Sequence, residues 1–230
     1  MTKQRHHYIP RFYLKNFADP TNEMVWLYTK TGEKCKAVSP RDVGIEKDYH
    51  TVTLRDGAKD RQTIEETVAR LENIAAPVVK KILAGEELTS VDHQIFAVFV
   101  AQMFLRVPLR RDAVGRMTSE LLKLKAKSFA ADKQSYHADY RRFQQETGHT
   151  SAVDPEEIRK FILGDDYKLQ VNPSAALGLS LGSIDIVANC LVRMNWVFLR
   201  ATGRFKFVTC DNPVFIVIQR SRPSRGEVLA

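Results

Sequence analysis

Two adjacent histidines near the N-terminus, His6 and His7, are the residues of this sequence best suited to chemistry. Imidazole binds metals and transfers protons near neutral pH. Because adjacent side chains cannot share a face, one histidine at most points to a given site while the other orients it or packs elsewhere. The pair matches no metal motif such as His-x-x-x-His. The alternative is that Tyr8, Phe12 and Phe17 anchor the N-terminus to the core while the histidines stay in solvent.

A second candidate group lies near the other end of the chain, where Asp211, Asn212 and Pro213 follow an apolar segment. A carboxylate at the end of a strand is well placed to bind a metal or to act as a base, because sites gather where loops leave rigid elements. Asp and Asn before a proline also form turns by hydrogen bonding to their own backbone. The residues alone leave both interpretations open.

Four polar residues within predicted helices form a third group. Glu65 and Glu72 are seven residues apart and share a helix face, and Gln102 and Arg106 lie one turn apart on another helix. A polar side chain inside an apolar helix is costly unless it is paired, so we expect Arg106 to pair with Glu72 or Glu65. The alternatives are a purely structural ion pair, or exposure of the two glutamates.

Both ends of the chain resemble one family. Residues 6–17, His-His-Tyr-Ile-Pro-Arg-Phe-Tyr-Leu-Lys-Asn-Phe, and residues 207–214, Phe-Val-Thr-Cys-Asp-Asn-Pro-Val, resemble the bacterial family known as domain of unknown function 4238. The resemblance covers almost the whole chain. Between the ends it is carried by segments that look like the family's helical signatures: Ile64-Glu65, Leu71-Glu72 and Gln102 to Arg106.

The resemblance implies no particular activity, and it marks positions only. The family-marking positions are His6, His7, Tyr8, Asp211 and Asn212. Cys210 stands where the family usually has Ser, so the resemblance carries no hydroxyl role to that position. Family members look longer than this chain, which ends at Ala230, so we expect a C-terminally shortened member.

Helices must position most of these residues. The capping-box spacing of Thr63 with Glu66 predicts a helix to about Leu83, and that of Thr89 with Asp92 predicts a second, central helix. Pro108 is expected to kink or end the second helix. A further helix is predicted over the basic stretch that follows Pro108, to about Lys127. Others are predicted to begin at Asp154-Pro155, and to run from Asn172-Pro173 to about Asn195.

Short β elements are predicted near both ends. Residues 24–38 contain two β-favouring stretches around Gly32, residues 196–209 repeat this pattern, and residues 214–218 form an apolar run. We therefore predict an α+β fold with a predominantly α-helical core and small antiparallel β elements from the N- and C-terminal regions. By length, residues 1–230 are expected to form a single domain.

Composition points to an ordinary globular protein in the cytoplasm. Charged residues make up 27% and hydrophobic residues 44% of the chain. The richest apolar stretch, residues 95–107, is too short to span a bilayer, and no apolar region of a signal peptide follows the N-terminus. Cys35, Cys190 and Cys210 are odd in number and widely spaced, which argues against a disulfide framework. We expect no membrane partner.

A basic surface makes nucleic acid a plausible partner. The formal net charge is +8, and many cations lie between Arg106 and Lys127. A solvated helix face explains the same stretch, since it also contains Asp112 and Glu120. The sequence has no phosphate-binding Gly-rich loop, no Gly-x-Ser-x-Gly elbow and no His-Glu-x-x-His, which argues against P-loop hydrolysis and familiar zinc proteolysis.

The leading functional hypothesis is a small hydrolase acting on nucleic acid or another phosphodiester-like polyanion. In this scheme His6 or His7 activates water, Arg106 stabilises negative charge, and Tyr8, Arg11, Gln102 and Asn212 contact the substrate. Asp211, with Glu65 or Glu72, would hold a divalent metal. We expect His7 and Asp211 to share one site. The alternative is a non-catalytic nucleic-acid or protein-binding module in which both terminal motifs are structural.

Overall fold

Three small antiparallel sheets come from the first 60 residues of the chain. The computed structural model describes residues 5–30, 32, 35–54, 56–164, 166–204 and 206–217. Strand β1 (Arg5–His7) pairs with β4 (Ile45–Lys47), with His6 opposite Glu46. The predicted first hairpin is confirmed, because β2 (Val25–Leu27) pairs with β3 (Lys36–Val38). A third pair joins β5 (Val52–Thr53) to β6 (Lys59–Asp60).

A long helix, α2 (Thr63–Ala84), follows the third sheet. The helix was predicted, but its capping box was wrong: Gln62 is the N-cap and makes no side-chain capping bond. The carboxylate of Asp60 instead accepts from the amides of Gln62 at 2.9 Å and Thr63 at 3.0 Å. Gly85 ends the helix with a left-handed φ of 76°.

The central helix is α3 (Ser90–Leu105), and its predicted capping box is confirmed. The Thr89 hydroxyl accepts from the Asp92 amide at 3.1 Å, and the Asp92 carboxylate accepts from the Thr89 amide at 2.9 Å. The helix ends before Pro108, which opens α4 (Pro108–Ala131) at its first position, where a missing N–H is harmless. Buried residues occur on several faces of α3, as its apolar circumference predicts.

Four further helices complete the described chain. They are α5 (Lys133–Thr147), α6 (Pro155–Leu163), α7 (Pro173–Leu181) and α8 (Ile184–Val192). The N-caps predicted at Asp154 and Asn172 are confirmed by their side-chain bonds to the amides of Glu156 and Ser174. The single long helix predicted after Asn172 is instead two helices, because Gly182 and Ser183, both weak helix formers, separate α7 from α8.

Both ends of the described chain pack on the helical core. Ala75 and Val79 of α2 form a buried cluster with Phe99 and Met103 of α3. Phe12 and Tyr13 pack against this cluster from α1 (Arg11–Leu14), a single turn that a 3₁₀ turn (Lys15–Phe17) extends, and Val214 packs against it from near the C-terminus. The core therefore brings the N-terminal and C-terminal motifs to one region of the molecule.

The fold class is confirmed as α+β with helices dominant. The hairpin predicted over residues 196–209 does not form in the described part of that range, and the described residues after α8 include no strand. Phe205 and Ile218 of the predicted strands lie outside the described residues. A β-favouring segment becomes a strand only when a neighbour satisfies its backbone hydrogen bonds, and these residues have no strand beside them here.

Residues 173–192 form a longer apolar stretch than the expected one at 95–107. Pro173–Val192 has a mean hydropathy of 1.7 and, by length and composition alone, suffices to cross a membrane. Core helices of soluble proteins meet the same criterion. In this fold α7 contacts α4 and α8 contacts α3, so the stretch belongs to the helical body.

Candidate functional site

Strand β1 sends its two histidines to different surroundings, as the alternation of a strand requires. The side chain of His6 is buried, and its ring stacks on the ring of His50 with centroids 5.1 Å apart. Nδ1 of His6 accepts from the backbone amide of His50 at 3.2 Å. Burial, and then the neighbouring His50, lower the pKa of His6, so its imidazole is neutral at pH 7.

His50 is the site residue that sequence reasoning missed. It is the third residue of the tight turn in which the Thr51 amide donates to the Asp48 carbonyl at 3.0 Å, and its ring is fully buried. Nδ1 of His50 contacts Oε2 of Glu65, and this hydrogen bond is the main reason that the pKa of Glu65 is lowered. A carboxylate at Nδ1 fixes the tautomer in which Nε2 holds the lone pair. The only sequence signal was a histidine in the polar loop.

His7 lies half-buried on the opposite face of β1. Its ring donates a hydrogen bond to the Pro40 carbonyl, and Nε2 is buried with no hydrogen-bond partner among the described residues. The donor must therefore be Nδ1, which leaves the lone pair on Nε2. Burial is the main cause that lowers the pKa of His7, against the opposing charges of Glu72 and Glu65. His7 is thus a neutral imidazole that is already oriented.

The predicted pair of Arg106 with Glu72 is confirmed. Nη1 of Arg106 lies 2.8 Å from Oε1 of Glu72, and the Arg106 side chain is wholly buried. Nε of Arg106 donates to the Tyr8 carbonyl at 2.9 Å, and the Tyr49 hydroxyl donates to the Arg106 carbonyl at 2.6 Å. Arg106 therefore ties β1 and the loop after β4 to the end of α3. Its guanidinium does not lie at the surface, where the hypothesis needs it to meet a substrate.

Gln102, one turn before Arg106, is also buried. Its side-chain oxygen has no hydrogen-bond partner within the described part of the chain. The same holds for Nε of Arg11 and for the side-chain oxygen of Asn212. Buried polar atoms are almost always paired in proteins, so each of these three atoms is an exception.

The C-terminal motif reaches the same region. The Tyr13 hydroxyl lies 3.0 Å from Oγ1 of Thr209, two residues before Asp211. Burial, followed by the charge of Asp211, raises the pKa of Tyr8 and so keeps its hydroxyl protonated. Asp211 itself is exposed, and the Cys210 thiol donates to the Asn212 carbonyl at 3.1 Å. Asp211 therefore lies in the electrostatic range of Tyr8, the neighbour of His7.

The predicted metal ligands do not form one set. Among the residues that the structure describes, no group of three or more His, Cys, Asp or Glu side chains is arranged to hold a metal ion. Glu65 is engaged by His50, and Glu72 by Arg106, while Asp211 acts on Tyr8 only through its charge. The two glutamates are held by cationic or hydrogen-bonding partners, which is why they do not join Asp211.

The groups of this site that are suited to acid–base chemistry are two oriented imidazoles, those of His50 and His7. His50 has a carboxylate at Nδ1 and His7 has a carbonyl at Nδ1, so each can accept a proton at Nε2. His50 is fully buried, whereas His7 is partly exposed and adjoins the protonated hydroxyl of Tyr8. Of the two, His7 is the one nearer to solvent.

Comparison with known proteins identifies one family. The sequence model of the family described as "Protein of unknown function (DUF4238)" matches residues 5–230. No curated protein and no solved structure matches the chain significantly. The match begins at the first residue of β1 and includes Asp211 and Asn212, so it contains both motifs of the site.

Proposed function

We propose that this chain, which belongs to the family described as "Protein of unknown function (DUF4238)", is a cytoplasmic hydrolase of nucleic acid or another phosphodiester-like polyanion, with His7 as general base. The observation that carries this proposal is the lone pair on Nε2 of His7, buried and without a partner among the described residues. Buried polar atoms are almost always paired, so the hydrogen bond to Pro40 alone does not account for this unpaired nitrogen.

In the proposed step, Nε2 of His7 takes a proton from water while the water oxygen bonds to phosphorus. The bond from phosphorus to the leaving oxygen breaks, and the imidazolium returns its proton to that oxygen. The pKa of His7 is lowered, so the ring is unprotonated at pH 7 and ready to accept. The Pro40 carbonyl orients the ring, as the partner of a catalytic histidine does in other acid–base sites.

Two residues that follow His7 in the chain, Tyr8 and Arg11, are proposed to contact the substrate. The hydroxyl of Tyr8 stays protonated because its pKa is raised, so it can donate to a phosphoryl oxygen. Arg11, half-exposed on the first turn after β1, supplies a cation in place of the buried Arg106. Burial, and then the charge of Asp211, raise the pKa of Tyr8 and so keep its proton in place. The net charge of +8 favours polyanionic substrates in general.

The test compares hydrolysis and folding in the same variants. We expect His7→Ala to lower the hydrolysis of bis(p-nitrophenyl) phosphate and of single-stranded oligonucleotides by roughly 10²- to 10⁴-fold, the usual contribution of a general base. Asp211→Asn should also lower it, and the double variant should lose little more than His7→Ala alone. Chemical denaturation should show each variant within about 1 kcal/mol of the unchanged protein.

An exposed histidine provides the matched control. His149, beyond the end of α5, lies on the surface, so His149→Ala should keep both activity and stability. Rates are measured with and without EDTA to separate any metal requirement from the role of His7. Absence of hydrolysis in the unchanged protein, or equal rates in His7→Ala, contradicts the proposal.

A second function has its own supporting observation. Arg106, His6 and His50 are buried and join β1 to α2 and α3, which is what a structural latch in a non-catalytic nucleic-acid or protein-binding module would need. Under this alternative, His7→Ala and Asp211→Asn would destabilise the fold, and their double variant would show coupling in the free energy of unfolding.

A further inference from the structure

A groove beside α4 has the size and charge of a binding site. It runs between α4 and the chain from Tyr167 to the start of α7, and its volume is about 520 Å³. Ligand sites fall in the range of about 300 to 1,000 Å³. The groove is open to solvent, and nothing in the acid–base site uses it.

Small residues and fixed backbone build this groove. A Cβ added at Gly115 would lie 3.4 Å from the Cβ of Ala176, so α4 and α7 approach closely at its floor. The Ser119 hydroxyl donates to the Gly115 carbonyl at 2.8 Å and accepts from the Val171 amide at 3.3 Å. Lys123 donates to the Tyr167 carbonyl at 3.2 Å, which holds the opposite wall. Two hydrogen bonds, one from the Val171 amide to Ser119 and one from Lys123 to the Tyr167 carbonyl, therefore hold the opposite wall to α4.

Cations outnumber acids in the groove. Its charged residues are Arg111, Arg116, Lys123, Lys168, Asp112 and Glu120. Asp112 is neutralised by Nε of Arg111 at 2.8 Å. Arg116 and Lys168 are exposed and form no ion pair or hydrogen bond with any described residue. An anion in the groove would thus meet one such cation on each wall, Arg116 on α4 and Lys168 on the opposite segment. Lys123, which also lines the groove, lies between them along the chain.

Arg111 links the groove to the acid–base site. It lines the groove, yet its Nη1 lies 2.7 Å from Oε1 of Glu46, the residue opposite His6 in the β1–β4 pair. Its guanidinium also lies over the ring of Tyr49, 4.9 Å from the centroid, and the Tyr49 ring neighbours those of Tyr8 and His50. A polymer bound in the groove would therefore have the acid–base residues as near neighbours.

We infer that this groove binds a phosphate group of the substrate through Arg116 and Lys168, at a subsite separate from His7. The inference rests on the proposed function for its substrate class, a phosphodiester polyanion. Each phosphate neutralised by a cation releases counterions, so binding at such a subsite must weaken as salt rises.

The test measures binding rather than turnover. A fluorescently labelled oligothymidylate of about twelve nucleotides is titrated with the full chain at about 50 and about 200 mM NaCl. Arg116→Gln with Lys168→Gln should weaken binding at the lower salt by roughly tenfold, and should reduce the slope of log affinity against log salt by about 1.4, or about 0.7 per lost contact. Lys125→Gln, an exposed α4 cation outside the groove, should change neither.

Two further arms identify the phosphate source and separate the two proposals. Inorganic phosphate and thymidine monophosphate are added as competitors, since displacement by either alone at low concentration indicates a free phosphate or nucleotide site. All titrations are repeated with His7→Ala, in which binding should be unchanged. Binding without hydrolysis leaves this inference standing while the proposed function fails. No binding at low salt, or equal weakening by Lys125→Gln, overturns the inference.

Discussion

At the scale of the residue, the orientation of each imidazole decides what it can do. His7 and His50 both have an oxygen acceptor at Nδ1, so both hold a lone pair on Nε2. They differ in exposure, and only His7 reaches the partly open side of β1. In the sequence, His7 differs from His6 only in that it adjoins Tyr8. The structure supplies the physical reason, which is the Pro40 carbonyl beside the ring.

Arg106 illustrates what helical spacing predicts well and what it does not. A cation within an apolar helix needs a partner, and two glutamates at the right spacing on the preceding helix made Glu72 or Glu65 the expected one. The spacing did not indicate how deeply the Arg106 side chain lies in the core, however, so its complete burial could not be anticipated. His50 was missed for a related reason: a loop has no periodicity from which to infer which side chain turns inward.

We expect the Arg106–Glu72 pair to stabilise the fold strongly. Arg106→Met should cost about 3 to 5 kcal/mol of unfolding free energy, because the Tyr8 carbonyl and Glu72 lose their buried partner. A double-mutant cycle with Glu72→Gln should give a coupling energy above about 1 kcal/mol. Denaturant titration measures both quantities.

The exposed pair of Arg5 with Asp42, also at 2.8 Å and also anchored on β1, is the matched control. Its side chains are more than half exposed, so the corresponding cycle should give less than about 1 kcal/mol. Equal coupling energies in the two cycles would show that burial of Arg106 does not strengthen its interaction with Glu72.

At the scale of the element, local signals predicted helices better than they predicted partners. Thr89 with Asp92 formed its capping box because both side chains lie within one turn of the same helix start. Thr63 with Glu66 had the same spacing but failed, because the Asp60 carboxylate already accepts from the first amides. The competing acceptor, Asp60, lies three residues before Thr63 and is visible in the sequence, but the direction of its side chain is not.

Strand formation in the C-terminal region depended on information that a local pattern lacks. Residues 196–209 have the alternation and the turn glycine of a hairpin, yet their described part extends along the helices without strand pairing. Trp196 nevertheless packs on the helical core. Its ring lies 5.0 Å from that of His93 and 5.5 Å from that of Phe96, both on α3.

Replacing Trp196 should test how firmly this segment is held. The indole is half-buried and donates to the Leu191 carbonyl at 2.8 Å, so Trp196→Ala should cost about 2 kcal/mol, below the range for a fully buried tryptophan. Trp26, which is 56% exposed, is the control, and Trp26→Ala should cost less than about 1 kcal/mol. A loss in Trp196→Ala no larger than that of Trp26→Ala would show that the segment is peripheral.

At the scale of the whole molecule, the meeting of the two chain ends is the main organising feature. Phe12 and Tyr13 pack on one side of the Phe99 cluster, and Val214 packs on the same cluster. This packing brings Asp211 within electrostatic range of Tyr8, about two hundred positions away in sequence. The resemblance at both ends raised the expectation that they share a site, but only tertiary packing determines which atoms meet. It brought Asp211 to Tyr8 and left Glu65 and Glu72 with other partners.

The pH dependence of kcat/KM tests the central claim, that His7 is a general base, most directly. The pKa of His7 is lowered from 6.5 because burial disfavours the charged ring, so the base form predominates at neutral pH and is lost as pH falls through that lowered pKa. We therefore predict that kcat/KM for bis(p-nitrophenyl) phosphate is level near pH 7 and falls with a midpoint below 6.5. His7→Gln should lose both the activity and this inflection, while His149→Ala keeps both. An inflection that persists in His7→Gln, or a profile without one in the unchanged protein, would contradict the claim.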